Sequence, residues 1–276
     1  MNPFMSTSSP SHQVEGQITA YTTLVLSTQY CTHTFLVLVF KKYARLIWWD
    51  CGGAVVTAPM YYNDETHLLN FFICYDHANP ETCSHNSTIG PPTEDEDQNA
   101  WMLSDLASVK SLLAVTIADP THPQQSSHYI ICGPCTWPNI PASCWTRTSV
   151  AYDVWRKKCI LLKDSWRVLL DSITPEGEIY AKLHQNSVSN IPFCLHTSDV
   201  GDNTHHKSWM HEFISACGGH MQLTPHQHYR LVLDMIGQKL ERFSCSWEVV
   251  NAIHTSLVGW WVGQCSQSGN VNWLTL

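Results

Sequence analysis

Three short segments in the second half of the chain carry residues that could bind phosphate groups. They are VWRKKCILLKDSWR (Val154 to Arg167), TPEGEIYAKLHQ (Thr174 to Gln185) and HYRLVLDMIGQKL (His228 to Leu240). The first reads as a strand that bears Lys163, and the second as a helix that opens with Glu176 and Glu178. A lysine that contacts phosphates must be held extended, and a carboxylate on a neighbouring helix can hold it by ion pairing. We therefore predict an ion pair between Lys163 and one of these glutamates.

Glu176 is the preferred partner, because Tyr180 and Leu183 follow it at four and seven residues and continue one inward helix face. The alternative is an ordinary surface lysine beside a solvated helix start. The order of the three segments favours the paired interpretation.

The elements that must position these residues are two strands, a helix and a further strand. VAYDV and KKCILLKDSW predict a strand pair with Arg156 and Lys157 near its turn. Thr174 is expected to cap the helix with Pro175 at its first position, and Ile179 and Leu183 are expected to face the sheet. A strand is then predicted from His228 to Met235, with Gly237 ending it.

The part of the chain before these segments predicts a small α/β unit. Residues 1–16 are expected to be disordered, and THTFLVLVF, YARLIWWD and AVVTAP predict an antiparallel meander. A helix capped by Asn63 or Asp64 should run to about Tyr75. The acidic stretch from His77 to Asn99 predicts a flexible connection. A helix over about 100–115 and a strand near 129–132 should follow.

At the C-terminal end, Ser246 should open a helix to about Val262, with Val250, Ile253, Leu257 and Trp261 at helical spacing.

Composition limits the kinds of partner. The 276 residues carry a net charge of -8, with 14% charged residues, 12 Cys and 16 His. An acidic chain argues against nucleic acid or an anionic membrane surface as partner. No run approaches the 18 or so apolar residues of a membrane helix, and the N-terminus does not resemble a secretory signal. We expect a cytoplasmic or nuclear protein with reduced cysteines.

The order of motifs resembles one known family. LLKDSW, PEGEIYAKLH, NIPFCLHTSDVGD and HYRLVLDMIG, together with the upstream KKYARLIWWDCGGAVVTAP, are similar to the fungal-type protein kinases of mushroom-forming fungi. The resemblance covers roughly residues 16–257. It implies that Lys163 is the ATP-phosphate lysine and Glu176 its helix partner, with Glu178 as the second candidate. It also implies a hinge whose backbone would bind adenine, formed by Asp234, Met235, Ile236 and Gly237.

Two departures from the family pattern bear on activity. Ala142 and Thr148 stand where the glycine-rich phosphate loop would carry glycines, and Trp145 lies between them. After Asp234 the sequence has no aspartate, whereas phosphoryl transfer in kinases uses one aspartate at the substrate hydroxyl and another at magnesium. The resemblance therefore implies no catalytic residues in this chain, at most weak ATP binding, and no magnesium site.

These observations predict an α+β fold: a kinase-like N-lobe, an antiparallel sheet with one inward helix, preceded by a small α/β extension and without a C-lobe. The expected divisions are a tail (1–16), the family extension (17–130), the N-lobe and hinge (131–245) and a helix fragment with a divergent tail (246–276). The expected function is that of a truncated pseudokinase with residual ATP binding. The alternative is a non-catalytic interaction module with a protein partner. Self-association through the C-terminal helix is also expected.

Two other motifs contain residue types that can act in redox chemistry or bind metal. Cys132-Gly133-Pro134-Cys135 spells a redox tetrapeptide, but Pro138 and Pro141 make a poor helix start after it. The histidines between His205 and His228, beside Cys217, lack a compact spacing for zinc. Neither motif is expected to be a functional site.

Overall fold

The fold is mixed α+β with antiparallel sheets, as the sequence predicted. The structure is a computed structural model that describes residues 9–100, 112–118, 126–136, 145–201, 206–210, 212–213, 223–237 and 242–266. The helices of this described part are α1 (Ser9–Thr28), α2 (His67–Asp76), α3 (Glu94–Asn99), α4 (Glu176–Gln185) and α5 (Ser246–Ser266).

Two sheets organise the described residues. A three-stranded meander joins β1 (Thr34–Val39), β2 (Ala44–Asp50) and β3 (Gly53–Val56) in that order. A seven-stranded sheet has the order β4-β5-β6-β7-β8-β10-β9, and every neighbouring pair is antiparallel. Its strands are β4 (Ile89–Gly90), β5 (Leu113–Ala118), β6 (Ser126–Ile131), β7 (Arg147–Asp153), β8 (Lys158–Val168), β9 (Cys194–Asp199) and β10 (His226–Leu233). The chain passes from β8 through α4 to the edge strand β9, and β10 then inserts between β9 and β8.

The seven-stranded sheet buries both of its faces around the centre. Successive side chains of a strand point to opposite faces, so Leu161 packs toward α4 with Tyr229, Leu231 and Tyr180. The other face buries an apolar cluster that contains Tyr30, Ile89, Val115, Ile117, Tyr129, Ile131, Ala151, Ile160, Leu162 and Val232. Strands from both sides of residue 131 therefore build one core.

A tryptophan-rich cluster joins the two sheets. Leu26 of α1 and Cys51 after β2 pack with Trp145 and Trp166 of the larger sheet. Trp145 immediately precedes β7 in this cluster, is 2% exposed and has a φ of 39°. A bulky residue in the left-handed region is strained, and its burial among these neighbours holds it there.

Five local predictions were wrong. Ser9–Thr28 is helical, so residues 9–16 are not a disordered tail: burial of Thr22 and Leu26 ties α1 to the molecule. The stretch from His77 to Asn99 is not a mere connection. It contains β4 and α3, and α3 begins with a capping box in which Thr93 and Glu96 satisfy each other's backbone N–H groups.

The other three concern a helix that is partly a strand and the starts of two helices. Of the helix predicted over 100–115, residues 101–111 lie outside the described part, and Leu113 onward is strand β5, because its apolar β-branched run pairs with β6. Helix α4 begins at Glu176 with Pro175 as N-cap, and Thr174 provides no side-chain cap. Helix α2 also starts late, after Thr66 rather than at Asn63 or Asp64. Helix α5 starts at Ser246 as predicted and continues to Ser266.

Candidate nucleotide-binding site

Lys163 lies on β8 near the middle of the seven-stranded sheet. Its cross-strand neighbours are Thr148 on β7 and Leu231 on β10. Directly opposite residues share a face of the sheet, so the three side chains form one row on the face that α4 covers. A central strand is a rigid support for a charged group that must meet a ligand at a fixed place.

Lys163 and Glu176 form the predicted ion pair. The Lys163 Nζ donates to Glu176 Oε2 at 2.6 Å, and the two side chains are 27% and 35% exposed. Glu178 is exposed and makes no ion pair with Lys163 among the described residues. A pair this exposed contributes at most about 1 kcal/mol to stability. Its main consequence is geometric, because it holds the ammonium group extended along the sheet.

Three residues fix the position of Glu176 relative to the sheet. The backbone N–H of Gly177 donates to the Tyr229 hydroxyl at 2.8 Å, and the Thr197 hydroxyl donates to the same oxygen. Burial raises the pKa of Tyr229, which keeps its phenol protonated. A Cβ at Gly177 would lie 2.5 Å from Thr197 Cγ2. Glycine is therefore what lets the first turn of α4 approach β9 closely enough for Glu176 to reach Lys163.

The predicted hinge follows β10 and is anchored by Asp234. Its backbone N–H donates to the Phe193 carbonyl at 3.0 Å, and its Oδ1 accepts from the Phe193 N–H at 2.7 Å. Met235 and Ile236 are 56% and 40% exposed, and Gly237 has no atom within 4 Å of its Cβ position. Asp234 stands three residues beyond Leu231, the neighbour of Lys163, which is roughly 10 Å along the strand. Met235, Ile236 and Gly237 therefore lie exposed just after β10.

The connection from β6 to β7 leads back to the lysine row. The Cys135 N–H donates to the Thr148 carbonyl at 2.6 Å, and the Thr136 and Thr148 hydroxyls are 2.7 Å apart. Thr148 is thus a strand residue of β7 with its hydroxyl engaged. Ala142, the other position where the family pattern has a glycine, lies outside the described residues. Gly133, with a φ of 126°, takes the conformation that favours glycine at the start of this connection.

Sequence reasoning missed a buried polar row on the opposite face of the same strands. Asp164, next to Lys163 in sequence, faces Arg147 on β7 and Arg230 on β10 in the strand register. Asp164 Oδ1 accepts from Arg147 Nη2 at 3.4 Å, and Oδ2 accepts from Arg230 Nε at 3.1 Å. Burial alone would raise the pKa of Asp164, but the positive charges and the N–H of His228 around it hold the pKa well below its usual range. The carboxylate is the anion that makes two buried arginines tolerable.

Two histidines extend this row, and their tautomers follow from their contacts. His228 Nε2 lies 2.7 Å from Asp164 Oδ1 and therefore donates its proton there. Its Nδ1, 2.9 Å from Nδ1 of His206, then accepts from His206. Burial lowers the pKa of His228, against the attraction of Asp164. Isolated polar residues within apolar strands were the only sequence signal, and the strand register that unites them was not visible.

The remaining sequence motifs form no chemical site in the described residues. Cys132 and Cys135 are free thiols, and burial raises the pKa of Cys132, which disfavours a reactive thiolate. Within the described ranges no group of three His, Cys, Asp or Glu side chains is placed to hold a metal ion. His205, His211, Cys217 and His220 lie outside those ranges.

Comparisons with known proteins assign no family. No protein-family model, curated protein or solved structure gives a significant match to this chain. Among the described helices, none is both long enough and apolar enough to cross a membrane.

Proposed function

We propose that this chain is a homologue of the fungal-type protein kinases that binds ATP weakly and does not transfer phosphate. The observation that carries the proposal is the 2.6 Å ion pair between Lys163 and Glu176. In protein kinases a lysine on the third strand pairs with a glutamate of the next helix and contacts the α- and β-phosphates. Here the lysine strand β8 follows the β6–β7 pair, and the glutamate opens the next helix, α4.

Two further features support nucleotide binding at this place. The hinge after β10 exposes Met235 and Ile236, so backbone groups there are open to adenine. Lys163 keeps 27% of its side chain exposed despite its ion pair, so a phosphate could reach the ammonium. The proposal is confined to binding, because Lys163, Glu176 and the segment after β10 would contact the nucleotide alone.

A thermal unfolding series tests this proposal. A ligand that binds only the folded state, at ten times its Kd, should stabilise that state by about 1.4 kcal/mol, or about 2–3 °C for a chain of this size. We expect ATP to raise the Tm by this mechanism in buffer with EDTA, since magnesium has no predicted ligand. Lys163→Met should abolish the shift. Lys158→Met, an exposed lysine at the start of the same strand, should keep it. A shift that survives in Lys163→Met would refute the assignment.

A second candidate function is protein association without a nucleotide. Helix α5 exposes Trp247, Val250, Ile253 and Leu257, which are 50–71% accessible. Spacings of three, three and four residues place them along one helical stripe. Stripes of this kind serve as contact surfaces between helices, and a chain that shows no response to ATP but associates through α5 would favour this second function.

A further inference from the structure

A cavity outside the nucleotide site lies between the three-stranded sheet and residues 206–210. Its volume is about 230 Å³. It is bounded by Thr32, His33, Phe35, Trp48, Asp50, Thr82, Lys207 and Trp209. None of these residues belongs to the Lys163 site. Ligand sites of drug-sized molecules are about 300–1,000 Å³, so this cavity suits a smaller molecule.

Aromatic rings form much of the cavity wall. Phe35 on β1 and Trp48 on β2 are direct cross-strand neighbours, with ring centroids 6.2 Å apart and planes inclined by 23°. His33 meets both rings edge-on, at 5.3 and 5.8 Å, and Trp209 completes the lining. Rings arranged in this way favour a planar apolar group, which gains both burial and edge or face contacts.

The polar groups Asp50 and His33 are already used by the protein. Asp50 Oδ1 accepts the Gly52 backbone N–H at 2.7 Å, and Oδ2 accepts the Trp209 backbone N–H at 2.8 Å. Both carboxylate oxygens are therefore already engaged by backbone donors, and a ligand ammonium group would have to share them. His33 Nε2 contacts the Thr82 carbonyl and its Nδ1 contacts the Thr32 hydroxyl, both at 3.0 Å.

Lys207 is the exception among the polar lining residues. It is half-buried, and its backbone is held by a bridge to Gln227 on β10. Within the described part of the chain it forms no ion pair with a carboxylate. A half-buried ammonium group without an anion favours a ligand that supplies one.

We propose that this cavity binds a small aromatic carboxylate. The ring packs against Phe35, Trp48 and Trp209, and the carboxylate accepts hydrogen bonds from Lys207. Asp50, whose two oxygens each accept a backbone N–H group, disfavours an aromatic amine, and the cavity volume excludes a nucleotide. The proposal is independent of the function proposed for the Lys163 site, because no residue is shared between the two.

Calorimetric titration with three indole derivatives tests the proposal. Indole-3-acetate supplies the ring and the charge, indole-3-acetamide removes the charge, and tryptamine reverses it. The full chain should bind the acetate about ten-fold or more tightly than the amide, as expected for a charge-assisted hydrogen bond. Tryptamine should bind no better than the amide.

Variants of Lys207 test whether its ammonium group binds the carboxylate of the ligand. Lys207→Met should lose that ten-fold preference while its affinity for the amide stays the same, and Lys207→Arg should retain the preference. Lys42→Met, an exposed lysine in the β1–β2 turn, should behave as the parent chain does.

Several results would overturn the proposal. One is an equal affinity for indole-3-acetate and indole-3-acetamide. Another is an unchanged preference for indole-3-acetate in Lys207→Met. A third is the absence of any binding heat with millimolar indole-3-acetate. Tighter binding of a short peptide that ends in tryptophan than of the free acid would replace the small acid with a peptide C-terminus.

Discussion

Two adjacent residues, Lys163 and Asp164, do opposite things because a strand sends them to opposite faces. Lys163 lies partly exposed beneath α4, and Asp164 is 4% exposed between Arg147 and Arg230. The role of Lys163 was predicted, because a strand with a lysine followed by a helix with an acidic start can be recognised in the sequence. The burial of Asp164 between two arginines was not predicted. Arg147 and Arg230 lie 17 and 66 residues away from Asp164 in sequence, and only the strand register brings them together.

Replacing Asp164 should therefore destabilise the whole domain. Asp164→Asn removes the carboxylate that neutralises two buried arginines, and removal of one partner of a buried pair costs about 3–5 kcal/mol. Urea unfolding, followed by circular dichroism, measures the free energy of unfolding. Asp171→Asn, at an exposed position after β8, should leave it unchanged. A loss below about 1 kcal/mol for Asp164→Asn would contradict the role of this buried row.

The buried histidines predict how stability depends on pH. Burial lowers the pKa values of His228 and His226 in the folded state, while an unfolded histidine titrates near pH 6.5. As the pH falls below 6.5 the unfolded state binds protons that the folded state refuses, so the free energy of unfolding must decrease. The free energy of unfolding can fall by at most about 1.4 kcal/mol per pH unit for each histidine. Urea unfolding at pH 7.5, 6.5 and 5.5 checks this, and the slope should be smaller in His226→Gln. Constant stability across that range would disagree with both pKa directions.

At the scale of elements, strands were predicted better than helix boundaries. The meander, the β7–β8 pair and β10 follow from β-branched and aromatic runs. The predictions placed the starts of α2 and α4 too early and assigned the first part of β5 to a helix. They did not include α3. Residues such as Leu113 and Val115 fit either a helix or a strand locally, and pairing with β6 decides. The capping box of Thr93 and Glu96 was readable in the sequence and shows that an acidic run does not exclude a helix.

A pair of glycine substitutions tests how closely α4 approaches the sheet. Gly177→Ala places a Cβ 2.5 Å from the Thr197 side chain, and such overpacking costs about 1–3 kcal/mol. Gly16→Ala in α1 meets nothing within 4 Å and should be neutral or stabilising by up to about 1 kcal/mol, because alanine favours helices. Thermal unfolding of the two variants should therefore shift in opposite directions. Equal shifts would mean that α4 does not depend on this contact.

At the scale of the whole molecule, strands from before and after residue 131 belong to one sheet. Strands β4 and β5 extend the sheet that carries Lys163. Arg147 Nη1 donates to the Leu26 carbonyl at 3.5 Å, and its guanidinium lies 4.4 Å from the centre of the Tyr30 ring. The predicted division at residue 130 rested on the family resemblance, whereas the contact between Arg147 and Leu26 joins residues 121 positions apart.

The exposed stripe of α5 should make the chain self-associate. Each large apolar side chain left in water forgoes roughly 1.5–3 kcal/mol of burial. Replacing Trp247, Val250 and Leu257 together by glutamine should shift the chain toward monomer, as measured by light scattering after size-exclusion chromatography. Leu170→Gln with Ile173→Gln removes exposed apolar residues outside α5 and should have no effect. A parent chain that is monomeric at high micromolar concentration would contradict this expectation.

The nucleotide assignment is tested most directly by finding which lysine meets the phosphates. An ATP derivative with an acyl group on its terminal phosphate transfers that acyl group to a nearby lysine amine, forming an amide and releasing ATP. Peptide mass spectrometry then identifies the modified lysine. We predict that Lys163 is labelled first, that excess ATP prevents its labelling, and that Glu176→Gln slows it because the ammonium group loses the partner that positions it. Labelling spread over exposed lysines such as Lys158 and unaffected by ATP would contradict the proposed site.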